Sequence, residues 1–219
     1  MECSAWSDYA TQPQVEFEHG MRLDTTYEYW PAGWVANRPG FFTGSGLPMR
    51  FVDATGAPID VYQAATQLSD AAGQDYPTTI DALLDSALGP EEYYGVFTAA
   101  MHADDASLDA ANAIVASART RGVPVIAARQ LLEWLDGRNG SSFQSMSWNG
   151  ATLSFSVGIA SGATGLQVMV PANILTATRT LTSITLNGNP VAFVRQTIKG
   201  IEYAVFAVAA GSYQATYTP

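Results

Sequence analysis

The residues best suited to chemistry are a histidine and the carboxylates beside it. His102 follows the mostly apolar run 94–101, and Asp104 and Asp105 come within three residues of it. An imidazole titrates near neutral pH, so a histidine held beside a reacting bond serves as general acid or base. The plainer alternative is a loop histidine bonded to backbone, with Asp105 or Ser107 capping the next helix. Asp24 ends the strand-like run 20–24 and precedes Thr25-Thr26-Tyr27. It either orients a catalytic group or, as a turn aspartate, accepts from the amides that follow. Arg22 and Arg50 lie on predicted strands, where an arginine is often paired with a carboxylate; for Arg50, Asp53 is the near neighbour.

A second group is aromatic. Trp6, Tyr27, Tyr29, Trp30, Trp34, Phe41 and Phe42 crowd one Gly/Pro-rich stretch. Flat rings in loops either stack on sugar rings, whose C–H faces pack against a π face, or fill a core or interface. Tyr29, Trp30 and Trp34, with Arg50, are therefore the candidate substrate contacts. His19, between Glu18 and Gly20, reads as a surface turn residue. Asp8, Asp60, Asp70 and Asp75 show no metal-binding spacing, and the phosphate-loop, dinucleotide and calcium-loop patterns are absent.

These residues need elements to position them. Residues 14–18 alternate with period two, as a half-buried strand does. Residues 49–53 and 58–62 flank Ala54-Thr55-Gly56-Ala57 and predict a hairpin. A helix capped at Thr78 or Thr79 runs to Leu88 and ends at Gly89-Pro90. Residues 95–135 predict a strand, a helix opened by Ser107, the strand Val123-Pro124-Val125-Ile126 and a last helix. That order implies a parallel pair, with 94–101 buried on both faces. Beyond residue 140, seven short runs alternate or are β-rich: 143–148, 152–159, 165–170, 181–186, 191–197, 203–208 and 212–217. Asn149-Gly150, Asn187-Gly188 and Lys199-Gly200 separate some of them as turn signals. Seven strands in so short a span predict an antiparallel sandwich of immunoglobulin-like type.

Composition divides the chain at the same place. Up to Arg138 there are 19 Asp/Glu and 7 Lys/Arg; beyond it there are one acid, Glu202, and three bases. The run Asp136-Gly137-Arg138-Asn139-Gly140-Ser141-Ser142 predicts a linker, giving domains 1–138 and 139–219. The net charge of −10 argues against a nucleic-acid partner. No apolar run approaches the ~20 residues of a membrane span, and Met1-Glu2-Cys3-Ser4 lacks the basic start and apolar stretch of a signal peptide. One cysteine, Cys3, permits no internal disulfide, and two histidines permit no all-histidine zinc site.

Four segments carry a resemblance. Trp6-Ser7-Asp8-Tyr9-Ala10-Thr11-Gln12-Pro13, Gly20-Met21-Arg22-Leu23-Asp24-Thr25, Arg38-Pro39-Gly40-Phe41-Phe42-Thr43-Gly44-Ser45-Gly46 and Met101-His102-Ala103-Asp104 are similar to the later part of polysaccharide deacetylase-like (NodB-homology) proteins. The resemblance spans roughly residues 5 to 137. It implies a distorted (β/α) barrel, of which this chain would be a part, in a secreted or cell-envelope hydrolase. Such enzymes remove acetyl groups from sugars with a divalent metal such as zinc. Met101-His102 takes the place of the family's apolar-His motif, so the resemblance implies His102 beside the acetyl group, with Asp24 matching an orienting aspartate. The family's base aspartate and its His-x-x-x-His metal ligands have no counterpart here, so no metal ligand and no cofactor is assigned to this chain.

The fold expected is thus α/β, a partial barrel, followed by an all-β immunoglobulin-like sandwich. The function expected is a carbohydrate-active hydrolase portion, inactive alone, acting on a polysaccharide or glycan with His102 and Asp24. The alternative is a non-catalytic carbohydrate-binding or cell-surface interaction module. A third possibility is a structural piece completed by another chain, since an incomplete barrel leaves strand edges that invite a homodimer.

Overall fold

The computed structural model describes residues 9–27, 38, 46–89, 95–104, 107–174, 176 and 178–219. The chain divides into two compact units, Met1–Ile126 and Ala127–Pro219.

In the first unit the period-two run at 14–18 is helical. Helix α1 spans Thr11–Glu18. Gln12 donates to Glu16 (3.0 Å) and Gln14 to Glu18 (3.1 Å), four residues apart as only a helix places them. Pro13 sits in the first turn, where its missing N–H leaves no bond unmade. Strand β1 (Leu23–Asp24) pairs parallel with β3 (Pro58–Gln63), and β2 (Met49–Val52) pairs antiparallel with β3. The β2–β3 hairpin is turned by Asp53, whose Oδ1 accepts from the Thr55 and Ala57 amides at 2.8 and 2.9 Å. Phe51, Ile59 and Val61 form the buried side of this sheet.

The other sheet of the unit has two strands. β4 (Thr66–Ser69) pairs parallel with β5 (Thr98–Ala100), with Ser69 level with Ala100. Helix α2 (Thr78–Leu88) lies between them in sequence, so the crossover is β4–α2–β5, and α3 (Asp109–Thr120) follows. Leu68, Ile80, Leu83, Leu84, Ile114 and Ala118 form the core beneath, with Phe97 and Met101 packed on it. Arg121 ties the helices together, donating to Asp85 (2.9 Å) and Asp81 (2.8 Å).

This is not the partial (β/α) barrel expected. The sheets are separate, one mixed and one of two strands, and among the described residues only one β–α–β crossover joins parallel strands. The run 94–101 contributes three strand residues, two of them exposed, rather than a strand buried on both faces. Residues 123–126 form no strand: Val123 N–H closes α3 onto the Ala118 carbonyl, Pro124 brings no N–H, and Val125 and Ile126 are exposed. Among the described residues, no strand takes its place to extend the sheet toward closure.

In the second unit, helix α4 (Ala128–Gly140) runs through most of the expected linker. Glycine is a poor helix former, yet here it permits close packing. A Cβ at Gly137 would collide with the backbone of Ser161, Gly162 and Ala163. Trp134 Nε1 donates to the Thr164 carbonyl of the same loop at 3.1 Å.

Each of the seven tail runs contributes a strand: β6 (Ser142–Trp148), β7 (Thr152–Gly158), β8 (Gln167–Pro171), β10 (Arg179–Leu186), β12 (Val194–Ile198), β13 (Ile201–Ala207) and β14 (Gly211–Thr218). Two short strands, β9 (Asn173–Ile174) and β11 (Asn189–Pro190), join them. Asn187-Gly188 and Lys199-Gly200 both have positive φ at the two central positions, the backbone that two-residue hairpins require. One antiparallel sheet has the order β11-β10-β14-β7-β6, with β9 also on β10; the other is β12-β13-β8. Phe155, Val168, Val170, Leu181, Phe206 and Tyr213 form a core drawn from both. Tyr217 on β14 donates to the Pro171 carbonyl on β8 at 2.9 Å, bonding sheet to sheet.

The immunoglobulin-like arrangement is also corrected. In that fold the last strand lies in the sheet opposite the first two. Here β14 sits between β7 and β10, in the sheet of β6 and β7. Strand count and turn chemistry are local, whereas strand order depends on which distant strands pair. Among the described residues no helix is long and apolar enough to cross a membrane.

Two outcomes check the second unit. A fragment of residues 127–219 gives dispersed amide signals by NMR. Gly137→Ala, favourable for an isolated helix, lowers stability by about 1–3 kcal/mol in denaturant titration, because the added methyl overpacks the loop.

Candidate functional site

The carboxyl ends of β4 and β5 lie side by side, and each strand hands its chain to a polar residue there. Asp70 follows Ser69; His102 follows Ala100 and Met101. Asp70 Oδ2 accepts from the His102 backbone N–H at 2.6 Å, and Asp70 Oδ1 lies 2.7 Å from His102 Nδ1. A carboxylate only accepts, so the ring proton belongs on Nδ1 and proton exchange with a ligand falls to Nε2. The Asp70 side chain is 11% exposed and that of His102 is 65% exposed. A sheltered carboxylate therefore orients an imidazole that stands in solvent, as in an acid–base dyad. The His102 backbone amide, followed by the His102 ring, holds the Asp70 carboxyl below its usual range.

Neighbouring groups fix Asp70. Ser69 Oγ accepts from the Ala71 amide at 3.2 Å, shaping the turn that begins at Asp70. Gln74 closes the strand end, accepting from the Ser69 amide (2.8 Å) and donating to the Gln67 carbonyl (2.7 Å). Tyr76 donates to Gln74 Oε1 at 2.6 Å, and its phenol is pushed up to about 12, chiefly by burial. The dyad opens on a shallow depression of about 320 Å³ lined by Asp70, Ala71, His102 and Asp104.

The other candidates sit elsewhere. Asp24 is buried; its Oδ1 accepts from the Thr26 amide at 2.7 Å and its Oδ2 faces Gln12 Nε2 at 3.5 Å. Gln12 also reaches Glu16, whose carboxyl is raised by burial, against the Gln12 bond, and further by the Asp24 charge. Asp24 thus joins α1 to β1. Its register partner is Gln63, seven residues before Asp70 along the chain, and its side-chain partners are not those of His102. Arg50 pairs with Asp60 at 3.0 Å, not with Asp53, and its guanidinium lies 5.0 Å over the Tyr62 ring. Arg22 takes the other Asp60 oxygen at 2.9 Å. His19 Nδ1 meets the Val15 carbonyl at 2.9 Å, at the end of α1. Tyr29, Trp30 and Trp34, with Trp6, Phe41, Phe42 and Asp105, lie outside the described residues.

Asp70 is the site residue that sequence reasoning passes over. It fits no metal spacing, and 32 positions separate it from His102. The available signal is its place directly after a β-rich run, in step with His102 after the next one.

The described residues of this site do not assemble a ligand set for a divalent metal. Among the described residues no three His, Cys, Asp or Glu side chains converge on one point. His102 Nδ1 already meets Asp70 Oδ1, and Asp70 Oδ2 already accepts from the His102 backbone N–H. Comparison with protein-family models, with curated proteins and with solved structures finds no match to this chain.

The clamp sets a pH dependence with a definite sign. A carboxyl lowered in the folded state stabilises the fold above its unfolded pKa, and that contribution is lost as pH falls through the folded value. His102→Ala removes both ring bond and ring charge while keeping the backbone amide. Carboxyl-carbon NMR then shows Asp70 titrating at higher pH than in the wild type. The acid limb of the stability curve, read by urea denaturation below about pH 4, becomes shallower.

Proposed function

We propose that this chain is the histidine-bearing portion of a carbohydrate-directed hydrolase, with His102 as the proton-transfer group and Asp70 as its positioning residue. The observation that carries this reading is the Asp70–His102 clamp at the carboxyl ends of two neighbouring parallel strands. Open α/β sheets bind ligands at such ends. The depression lies at the small end of ligand-site volumes, of the order of an acetyl group with part of a sugar ring. The carbohydrate and hydrolytic classes both come from the resemblance of the sequence segments, and the dyad supplies a group able to transfer a proton.

Hydrolysis of an acetyl group needs a base for water, a donor for the leaving atom and a stabiliser for the oxyanion. His102 Nε2 supplies proton transfer to the leaving atom. The other polar side chains lining the depression are the carboxyls of Asp70 and Asp104, and carboxylates repel an oxyanion. Among the described residues the lining thus holds no side chain to stabilise the oxyanion, and the outcome expected of this chain alone is binding of acetylated sugar without turnover.

A second reading, a non-catalytic carbohydrate-binding module, is favoured by β6, where Phe143 and Trp148 are 53% and 44% exposed beside polar neighbours. One titration separates the two. Acetylated chitin oligomers shift the His102 imidazole signals saturably in the wild type, and Asp70→Asn weakens the effect. No acetate appears from chitin or xylan oligomers, with or without added zinc or cobalt. Shifts at Trp148 with none at His102 replace the first reading by the second. Acetate release that survives His102→Ala shows that the chemistry lies elsewhere.

A further inference from the structure

One carboxyl group of the first unit is unused by the site at His102 and poorly provided for where it stands. Glu16 lies in the last turn of α1. Its Oε1 accepts from Gln12 Nε2 at 3.0 Å, while its Oε2 is buried and, among the described residues, has no hydrogen-bond partner. The same Gln12 nitrogen faces Asp24 Oδ2 on β1 at 3.5 Å and donates to Thr26 Oγ1 at 3.1 Å. Two carboxyls and a hydroxyl thus share one amide nitrogen, which has only two hydrogens. The helix end works against a charge as well, since its carbonyls point there and its last turn holds no basic residue. Nearby charged groups are engaged elsewhere. On α1, Glu18 accepts from Gln14 and His19 Nδ1 meets the Val15 carbonyl. Arg22, just before β1, pairs with Asp60 of β3, which also holds Arg50. What bears on Glu16 is the like charge of Asp24. An ionised Glu16 is therefore a buried charge with one oxygen unfilled, and that is costly.

We propose that Glu16 is a proton-operated latch on α1: with its proton the helix stays docked against β1 and β3, and without it the carboxylate turns out to water and the helix loosens. The helix depends on that docking. It is eight residues long, too short to persist as a helix in water by itself. Pro13 is buried, Ala10 packs on the core of Phe51, Ile59 and Val61, and the Tyr9 ring lies 5.7 Å from that of Phe51. The Gln12 bonds add a polar grip on the end of β1. That grip is carried onward, because Thr66 at the start of β4 donates from Oγ1 to the Thr25 carbonyl at 2.7 Å and from its amide to the Tyr27 carbonyl at 2.8 Å. The latch thus bears on the strand that ends at Ser69, just before Asp70, and it takes no part in the proton transfer proposed for His102.

The direction follows from the surroundings. Burial raises the Glu16 carboxyl above the ordinary 4.5, against the Gln12 bond, and the Asp24 charge raises it further. A carboxyl raised in the folded state contributes its full stability below its unfolded pKa and loses it as pH rises through the folded value. The helix is therefore held most firmly in acid and loosens as pH climbs above 4.5. This is the opposite sign to Asp70, whose lowered carboxyl stabilises the fold at the other end of the range.

Native-state hydrogen exchange of the full chain, read by NMR from about pH 4 to about pH 8 and corrected for the intrinsic rate at each pH, tests the latch. In the wild type the α1 amides, those of Gln14 and His19 among them, lose protection as pH rises, while the β14 amides of the second unit keep theirs. Carboxyl-carbon NMR shows Glu16 titrating above 4.5. Glu16→Gln, whose amide stands in for the protonated carboxyl, keeps α1 protected across the range. Asp24→Asn keeps an acceptor for the Thr26 amide but removes the charge beside Glu16, so Glu16 titrates lower and the loss of protection shrinks. Far-UV circular dichroism confirms that the variants fold, and the wild-type titration decides where one does not. Glu16 titrating at or below 4.5 overturns the proposal. So does α1 protection that is flat with pH in the wild type, or that falls equally in Glu16→Gln. None of these readings depends on sugar binding at His102.

Discussion

One carboxylate, Asp70, holds the candidate site together, because it accepts from both the backbone and the ring of His102. The strands it joins are short. β4 and β5 share a register of three pairs with a shift within it, and a short parallel ladder fixes little by itself. The rest of the anchoring is apolar. Leu68, inside β4, is almost fully buried against Ile80, Leu83 and Leu84, and Phe97 and Met101 pack on the same core from either end of β5. His102 therefore follows directly from a side chain fixed in the core. The imidazole cannot reorient about Nδ1 without giving up a carboxylate that also defines the path of its own backbone.

Local patterns were legible in the sequence and distant pairings were not. The β2–β3 hairpin follows from the Gly56 turn between two strand-like runs, helices α2 and α3 from their apolar stripes, and the tail strands from alternation punctuated by Asn-Gly and Lys-Gly. The run 14–18 misleads because five residues cannot separate period two from a helical face once Gln12 and Gln14 find carboxylates four residues on. Gly137 misleads in the other direction. Glycine reads as a break, but here the missing side chain is what lets α4 lie against Ser161, Gly162 and Ala163.

His102 was legible because it follows an apolar run, whereas Asp70 was hidden because the pairing of β4 with β5 spans a whole helix. The barrel expectation failed for a related reason. Motif segments describe the local path of the chain, but closure depends on each strand finding two neighbours. The residues at 123–126 that would have continued the sheet are instead spent on ending one helix and reaching the next.

Charge placement narrows the ligands that the depression admits. Up to Arg138 acids outnumber bases by 12, and several of the bases are committed: Arg22 and Arg50 share Asp60, and Arg121 spans Asp81 and Asp85. At the depression, Asp70 and Asp104 are the carboxyl-bearing neighbours of His102. A polyanion approaching there meets like charge within a Debye length of about 8 Å. A neutral, hydroxyl-rich ligand does not, and its hydroxyls find acceptors in the same carboxylates. The charge around His102 therefore opposes a polyanion more than it opposes a neutral ligand, which is the class of ligand proposed above for this depression.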